Sequence, residues 1–144
     1  MKNKYKTITA VLGVLIGIFL ILVSYFAIPM PHIIRRKLFL IAAILGLAFF
    51  VLGVVLIILT FTKKVKGKLK WFLLMAGIPS AAVLPSVILH NLAYGLFIHL
   101  FGEGYWERIG MGDEPFFFIL ALIVCPIVFL AGSAGSVVLL ARKR

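Results

Sequence analysis

The fold of this chain is decided by residues 38–62, LFLIAAILGLAFFVLGVVLIILTFT, in which no side chain carries a charge. An apolar run of about 20 residues is the length that an α-helix needs to cross the hydrocarbon core of a bilayer. Lipid offers the backbone no hydrogen-bonding partners, so a single segment makes this crossing as a helix. The stretch therefore predicts a transmembrane helix.

Three further stretches have the same character, at about residues 7–28, 71–91 and 115–141. In the whole chain 64% of residues are hydrophobic and 13% are charged, whereas soluble domains carry roughly 25% charged residues. A water-soluble globule is therefore excluded. We predict an all-α integral membrane protein, with residues 1–144 forming one domain of four transmembrane helices in a compact bundle.

The first stretch could also be taken for a signal peptide, because Lys2, Lys4 and Lys6 precede an apolar run. That run exceeds the roughly 7–15 apolar residues of a signal peptide. Tyr25 and Phe26 also crowd the cleavage point expected at Ala27. We therefore expect a retained span.

Proline marks the third and fourth spans. Pro79, Pro85 and Pro126 each remove a helical hydrogen bond, which predicts a kink in both helices. The uncharged stretch that begins at Trp71 continues to residue 101, which is too long for one straight crossing. We predict that the third span ends near residue 91, that 92–101 form a short interfacial helix, and that 102–114 form an acidic external loop. The alternative, that 92–101 continue the third span, stays open.

The basic residues predict the orientation. Eleven of the 15 fall before the first span, between the second and third spans, or at the carboxyl tail. The other four, Arg35, Arg36, Lys37 and Arg108, lie on the opposite face. Basic residues near span ends are retained in the cytoplasm, so we predict a multi-pass protein of the cell membrane with both termini cytoplasmic. Arg35, Arg36 and Lys37 run against this rule.

The net charge of +11 is explained by this topology and by anionic lipid headgroups. No nucleic-acid recognition motif accompanies it, so nucleic acid is not an expected partner. The lipid bilayer is the expected partner, together with a second copy of the chain or another membrane protein.

The spans contain no Asp, Glu, Lys or Arg, which argues against a proton-coupled transporter, because such proteins need an ionisable group in the membrane. Cys125 is the only cysteine, which excludes an internal disulfide and a CxxC redox centre. No phosphate loop, nucleophile elbow or carboxylate pair is present, so the sequence favours a non-enzymatic protein. It predicts no cofactor and no metal.

A candidate polar cluster lies at the outer end of the third span. At 100° per residue Ser86, His90 and Tyr94 share a stripe, with Asn91 on an adjoining face. His90 is either a hydrogen-bonding side chain between helices or a proton carrier or ligand. Both interpretations stay open at this point.

The loop beyond this cluster offers a weaker candidate, an external cation site of oxygen ligands and one imidazole. Its members are His99, Glu103, Glu107, Asp113 and Glu114. The glycines among them disfavour a regular helix, and a solvated acidic loop is the simpler interpretation.

Small residues at a spacing of four predict close helix packing. The candidates are Gly13, Gly17, Gly46, Gly132 and Ser136. Contacts inside the bundle and contacts between copies both fit this pattern.

Two classes of function remain. The first is an accessory or assembly subunit without catalytic activity. The second is a small-molecule or ion conduit, or a membrane enzyme, that uses His90 and the external acids.

Overall fold

The computed structural model describes residues 2–143, with side chains from Tyr5 onward. Met1, Arg144 and the side chains of residues 2–4 lie outside this description. The charged groups of Lys2, Lys4 and Arg144, which the predicted orientation counts, are therefore outside it too. The described part is helical, with no strand. Its helices are α1 (Lys2–Ala27), α2 (His32–Thr62), α3 (Lys68–Phe101), α4 (Tyr105–Arg108), α5 (Pro115–Ile119) and α6 (Cys125–Ala141).

Four helical segments are long and apolar enough to cross a membrane, which confirms the predicted architecture. They are α1, α2, α3 and a fourth span, Pro115–Ala141, made of α5, a π-helical turn (Leu120–Val124) and α6. The connections at residues 28–31 and 102–114 lie at one end of the bundle, called the outer end after the predicted orientation. The start of α1 and the end of α6 lie at the other, inner end, where Lys143 Nζ sits 5.1 Å from the Tyr5 ring centroid.

α3 is the central helix, because α2 and α6 both approach its backbone closely. A Cβ atom added to Gly132 would lie 2.5 Å from the Ala76 amide nitrogen, and one added to Gly53 would lie 2.8 Å from that of Ala81. Gly77 and Gly135 are similarly crowded. Only glycine fits where helix backbones come this close.

The five predicted packing residues fall into two groups, which differ in how closely another helix approaches them. Gly132 and Ser136 are buried in the fourth span, and Gly132 lies against α3. By contrast, a Cβ at Gly13, Gly17 or Gly46 would meet nothing within 4 Å, so these three mediate no close helix contact inside the chain. Contact between copies at these glycines stays a prediction.

Three phenylalanines hold the middle of the bundle together. The Phe129 ring centroid lies 4.7 Å from that of Phe19 and 5.2 Å from that of Phe49, which joins α1, α2 and α6. Towards the inner end Leu12, Leu56 and Leu73 are fully buried apolar residues, and Thr60 and Ser136 are buried as well.

Two helix boundaries differ from the sequence prediction. α2 begins at His32, so the basic run at 35–37 lies in its first turns. α3 is one continuous helix to Phe101, so the segment predicted as a separate interfacial helix is its last part. Pro79 and Pro85 lie inside α3 and do not end it. The helix ends at Gly102, which has a φ of 89°. The short helix α4 (Tyr105–Arg108) follows in the segment predicted as a loop.

The fourth span changes its helical pattern just before Pro126. This proline has no amide hydrogen to offer the carbonyl of Leu122. The Cys125 amide donates to the carbonyl of Leu120, five residues back, which widens the turn into a π-helix. The proline thus locally reshapes the span at the position where the sequence predicts a kink.

Candidate functional site

The clearest polar site joins the outer end of α3 to the start of the fourth span. His90 lies on α3 with 17% of its side chain exposed. Its Nδ1 lies 3.1 Å from the carbonyl oxygen and 3.2 Å from Oε2 of Glu114, while its Nε2 lies 3.5 Å from Oδ2 of Asp113. Acceptor oxygens of the Asp113–Glu114 segment therefore face both ring nitrogens of His90.

Glu114 holds this site in place because it also caps a helix. Its Oε1 accepts from the Phe116 amide at 2.8 Å, and its Oε2 accepts from the Phe117 amide at 3.0 Å. Pro115 occupies the first helical position, where a missing amide hydrogen costs nothing. A carboxylate is also favoured by the partial positive charge of a helix N-terminus. Glu114 is therefore buried, at 6% exposure, rather than solvated.

Asp113 plays a smaller part. Its Oδ1 accepts from the Glu114 amide at 2.7 Å, and its side chain is half exposed. This hydrogen bond orders the backbone just before α5 and leaves Oδ2 of Asp113 facing His90. We call His90, Asp113 and Glu114 the outer clamp.

The other members of the predicted polar cluster do not join His90. Asn91 is exposed and donates to the Val87 carbonyl at 2.8 Å, within its own helix. Tyr94 stacks on Trp106, with ring centroids 6.0 Å apart. Ser86 is buried. Among the described residues no hydrogen bond links these three to His90.

The weaker cation-site candidates are also dispersed. His99, Glu103 and Glu107 are exposed, and the chain turns at Gly102 and Gly104, both with positive φ. This turn breaks the helical spacing that would have aligned them. Within residues 5–143 no group of three or more His, Cys, Asp or Glu side chains is arranged to hold a metal ion.

An aromatic cluster that the sequence reasoning missed secures the acidic loop. Trp106 on α4 is 7% exposed and donates from Nε1 to the Tyr94 carbonyl at 3.3 Å. Phe97 and Tyr105 stack beside it, with ring centroids 5.4 Å apart. Aromatic residues such as these are typical of a membrane–water interface. Their presence in the sequence does not indicate that α4 folds back onto α3.

An apolar cavity of about 530 Å³ lies deeper, between α1, α3 and the fourth span. Pro79 and Pro126 both line it, as do Phe19, Val83 and Cys125. Its rim includes exposed side chains such as Phe26. The cavity has the size of a small-molecule site and adjoins the π-helical turn, a feature common at functional sites.

Comparison of this chain with protein-family models, with curated proteins and with solved structures gives no match. Function is therefore argued from the residues themselves.

Proposed function

We propose that this protein is a non-enzymatic accessory or assembly subunit of the cell membrane, with both termini cytoplasmic. One observation supports this most directly: the polar atoms of the outer clamp are engaged with each other and with the backbone. Both carboxylate oxygens of Glu114 accept amide hydrogen bonds, and both ring nitrogens of His90 face carboxylates. Such an arrangement fixes the outer loop rather than offering a free base or nucleophile.

The fixed loop presents a surface suited to a partner. Trp106 of this loop is buried, while Glu103, Glu107 and Arg108 are exposed. The Arg108 guanidinium donates to the Phe101 carbonyl at 2.5 Å, which holds α4 against the end of α3. A rigid, charged loop limits the conformational entropy that is lost on binding.

The test is a photoreactive phenylalanine analogue placed at Glu107 and, in a separate variant, at Glu103. Irradiation of intact membranes is expected to yield a discrete protein adduct from these positions. The control position is Ile44, which is 58% exposed on the lipid-facing side of α2. An adduct of twice the mass of the chain would identify a second copy as the partner. No protein adduct from either loop position would refute the proposal.

A second candidate function is binding of an apolar small molecule in the 530 Å³ cavity. A hydrocarbon photolabel carrying a diazirine is expected to modify the peptide around Cys125. Ala121→Phe fills the cavity from a buried lining position, and Ala131→Phe is its control on the exposed side of the same span. Equal labelling in both variants would contradict this candidate.

A further inference from the structure

The first turns of α2 carry an uncompensated positive charge. His32, Arg35, Arg36 and Lys37 occupy them without an acidic residue, although a helix N-terminus favours anions and disfavours cations. All four acids of the chain lie instead between residues 103 and 114. Among the described residues neither Arg35 nor Arg36 forms an ion pair; the two ion pairs found there belong to His90. This is also the basic run that departs from the positive-inside rule.

Two of these basic residues and His32 face one pocket. The pocket has a volume of about 340 Å³ and is lined by Tyr25, His32, Arg35, Arg36 and Phe39. The Tyr25 hydroxyl donates to the Arg35 carbonyl at 3.2 Å, and Arg35 Nη2 donates to the Ile28 carbonyl at 3.5 Å. The Nε of Arg35 is buried without a hydrogen-bond partner. One hydrogen bond to the Arg35 backbone and one from its guanidinium thus connect Arg35 to α1 and to the α1–α2 connection.

An apolar groove lies next to this pocket, on the side towards the middle of the bundle. It lies between α1 and α2, has a volume of about 360 Å³, and is lined by Leu20, Leu38, Ile41, Ala42 and Leu45 among others. Tyr25 lines both the pocket and the groove, so the two are adjacent. From residue 38 to residue 45 the groove follows α2 for about 10 Å, given a rise of 1.5 Å per residue.

We propose that this α1–α2 face binds one anionic glycerophospholipid, with the phosphate at His32, Arg35 and Arg36 and an acyl chain in the groove. Guanidinium groups bind phosphate oxygens in a bidentate manner. A basic pocket at one end of the bundle, next to an apolar groove between α1 and α2, matches the two halves of such a lipid. The inference does not depend on the accessory role or on the outer clamp.

The test is native mass spectrometry of the full chain in mild detergent. Phosphatidylglycerol and phosphatidylcholine with identical acyl chains are added separately. We expect a one-lipid adduct that is retained with phosphatidylglycerol and lost more readily with phosphatidylcholine. Equal retention of the two lipids would overturn the proposal, because the basic pocket would then contribute nothing.

Matched variants test the two halves of the site. Arg36→Gln is expected to weaken phosphatidylglycerol binding about fivefold, which corresponds to the roughly 1 kcal/mol contributed by one basic residue near an anionic lipid. Lys37→Gln removes the same charge one position away, outside the pocket lining, and is expected to change binding less than about twofold. Equal effects of the two substitutions would contradict a defined phosphate site.

The groove has its own matched pair. Ala42→Phe fills it, whereas Ala43→Phe places the same ring on the exposed side of α2. Only Ala42→Phe is expected to reduce the lipid adduct. If Ala42→Phe has no effect and millimolar inorganic phosphate displaces the lipid, the pocket binds free phosphate and the lipid proposal is wrong.

Discussion

Removing Glu114 tests whether the outer clamp holds the third and fourth spans together. Glu114→Ala leaves the Phe116 and Phe117 amides uncapped, a loss of about 0.5–2 kcal/mol for a helix N-cap. It also leaves the partly buried His90 ring without its carboxylate, which costs about 1–3 kcal/mol. These terms share one side chain and are not fully additive, so we expect a total loss of about 2–4 kcal/mol in the free energy of unfolding.

His90→Gln is the milder change, because glutamine still donates a hydrogen bond. We expect a loss of about 1 kcal/mol, the scale of an interhelical hydrogen bond in lipid. The double variant is expected to lose less than the sum of the two single losses, with a coupling energy of about 0.5–1 kcal/mol. Asn91→Ala, on the exposed side of α3, is the control and is expected to change the free energy of unfolding by less than about 0.5 kcal/mol.

The assay is unfolding by sodium dodecyl sulfate in mixed micelles, followed by circular dichroism and by fluorescence of the two tryptophans, Trp71 and Trp106. Additive losses, or a Glu114→Ala variant as stable as the parent chain, would refute the interpretation that His90 and Glu114 bind each other. A loss of cellular function in His90→Gln at normal stability and abundance would favour a proton or ligand role for His90 instead.

Three further predictions concern packing, topology and the π-helical turn. Gly132→Ala forces a new Cβ against the α3 backbone and is expected to destabilise the bundle by about 1–3 kcal/mol in the same assay. The control, Gly17→Ala, is expected to be neutral or slightly stabilising. Equal effects of the two substitutions would contradict close packing of Gly132 on α3. In a Cys125→Ala background, a membrane-impermeant maleimide is expected to label Glu107→Cys but not Lys66→Cys in intact cells, and the reverse pattern would invert the topology. Pro126→Ala restores a donor for the Leu122 carbonyl and is expected to convert the π-helical turn to α-helix and reduce photolabelling of the 530 Å³ cavity; unchanged labelling would show that the proline does not shape it.

Hydropathy predicts the four crossings because every span must be apolar along nearly its whole length. It predicts helix ends less well, because charge marks the membrane boundary and not the end of the hydrogen-bonded backbone. α2 therefore begins six residues before the predicted span, with Arg35 already helical, and α3 continues past Asn91 without a break.

The sequence analysis links His90 with the external acids as a group, but it does not predict which of them His90 contacts. His90 and Glu114 are 24 residues apart and meet through the packing of two spans, which no local pattern encodes. One local signal was available: an acidic residue directly before a proline that begins an apolar helix indicates an N-cap. That signal distinguishes Glu114 from the exposed Glu103 and Glu107, although all three are glutamates of the same loop.

The position of α1 links the two proposed ligand sites. Its buried residues end at Phe19, and from Leu20 to Ala27 every side chain is exposed or half-buried. The 530 Å³ cavity lies on one side of this outer third, and the α1–α2 groove lies on the other. Leu22 lines both, so a ligand on either side contacts the same turns of α1. Burial of apolar surface by one ligand would fix α1 in place, and the second ligand would then lose less conformational entropy on binding. The two sites are therefore expected to be coupled through α1 and not through the outer clamp, which contacts α3 and the fourth span.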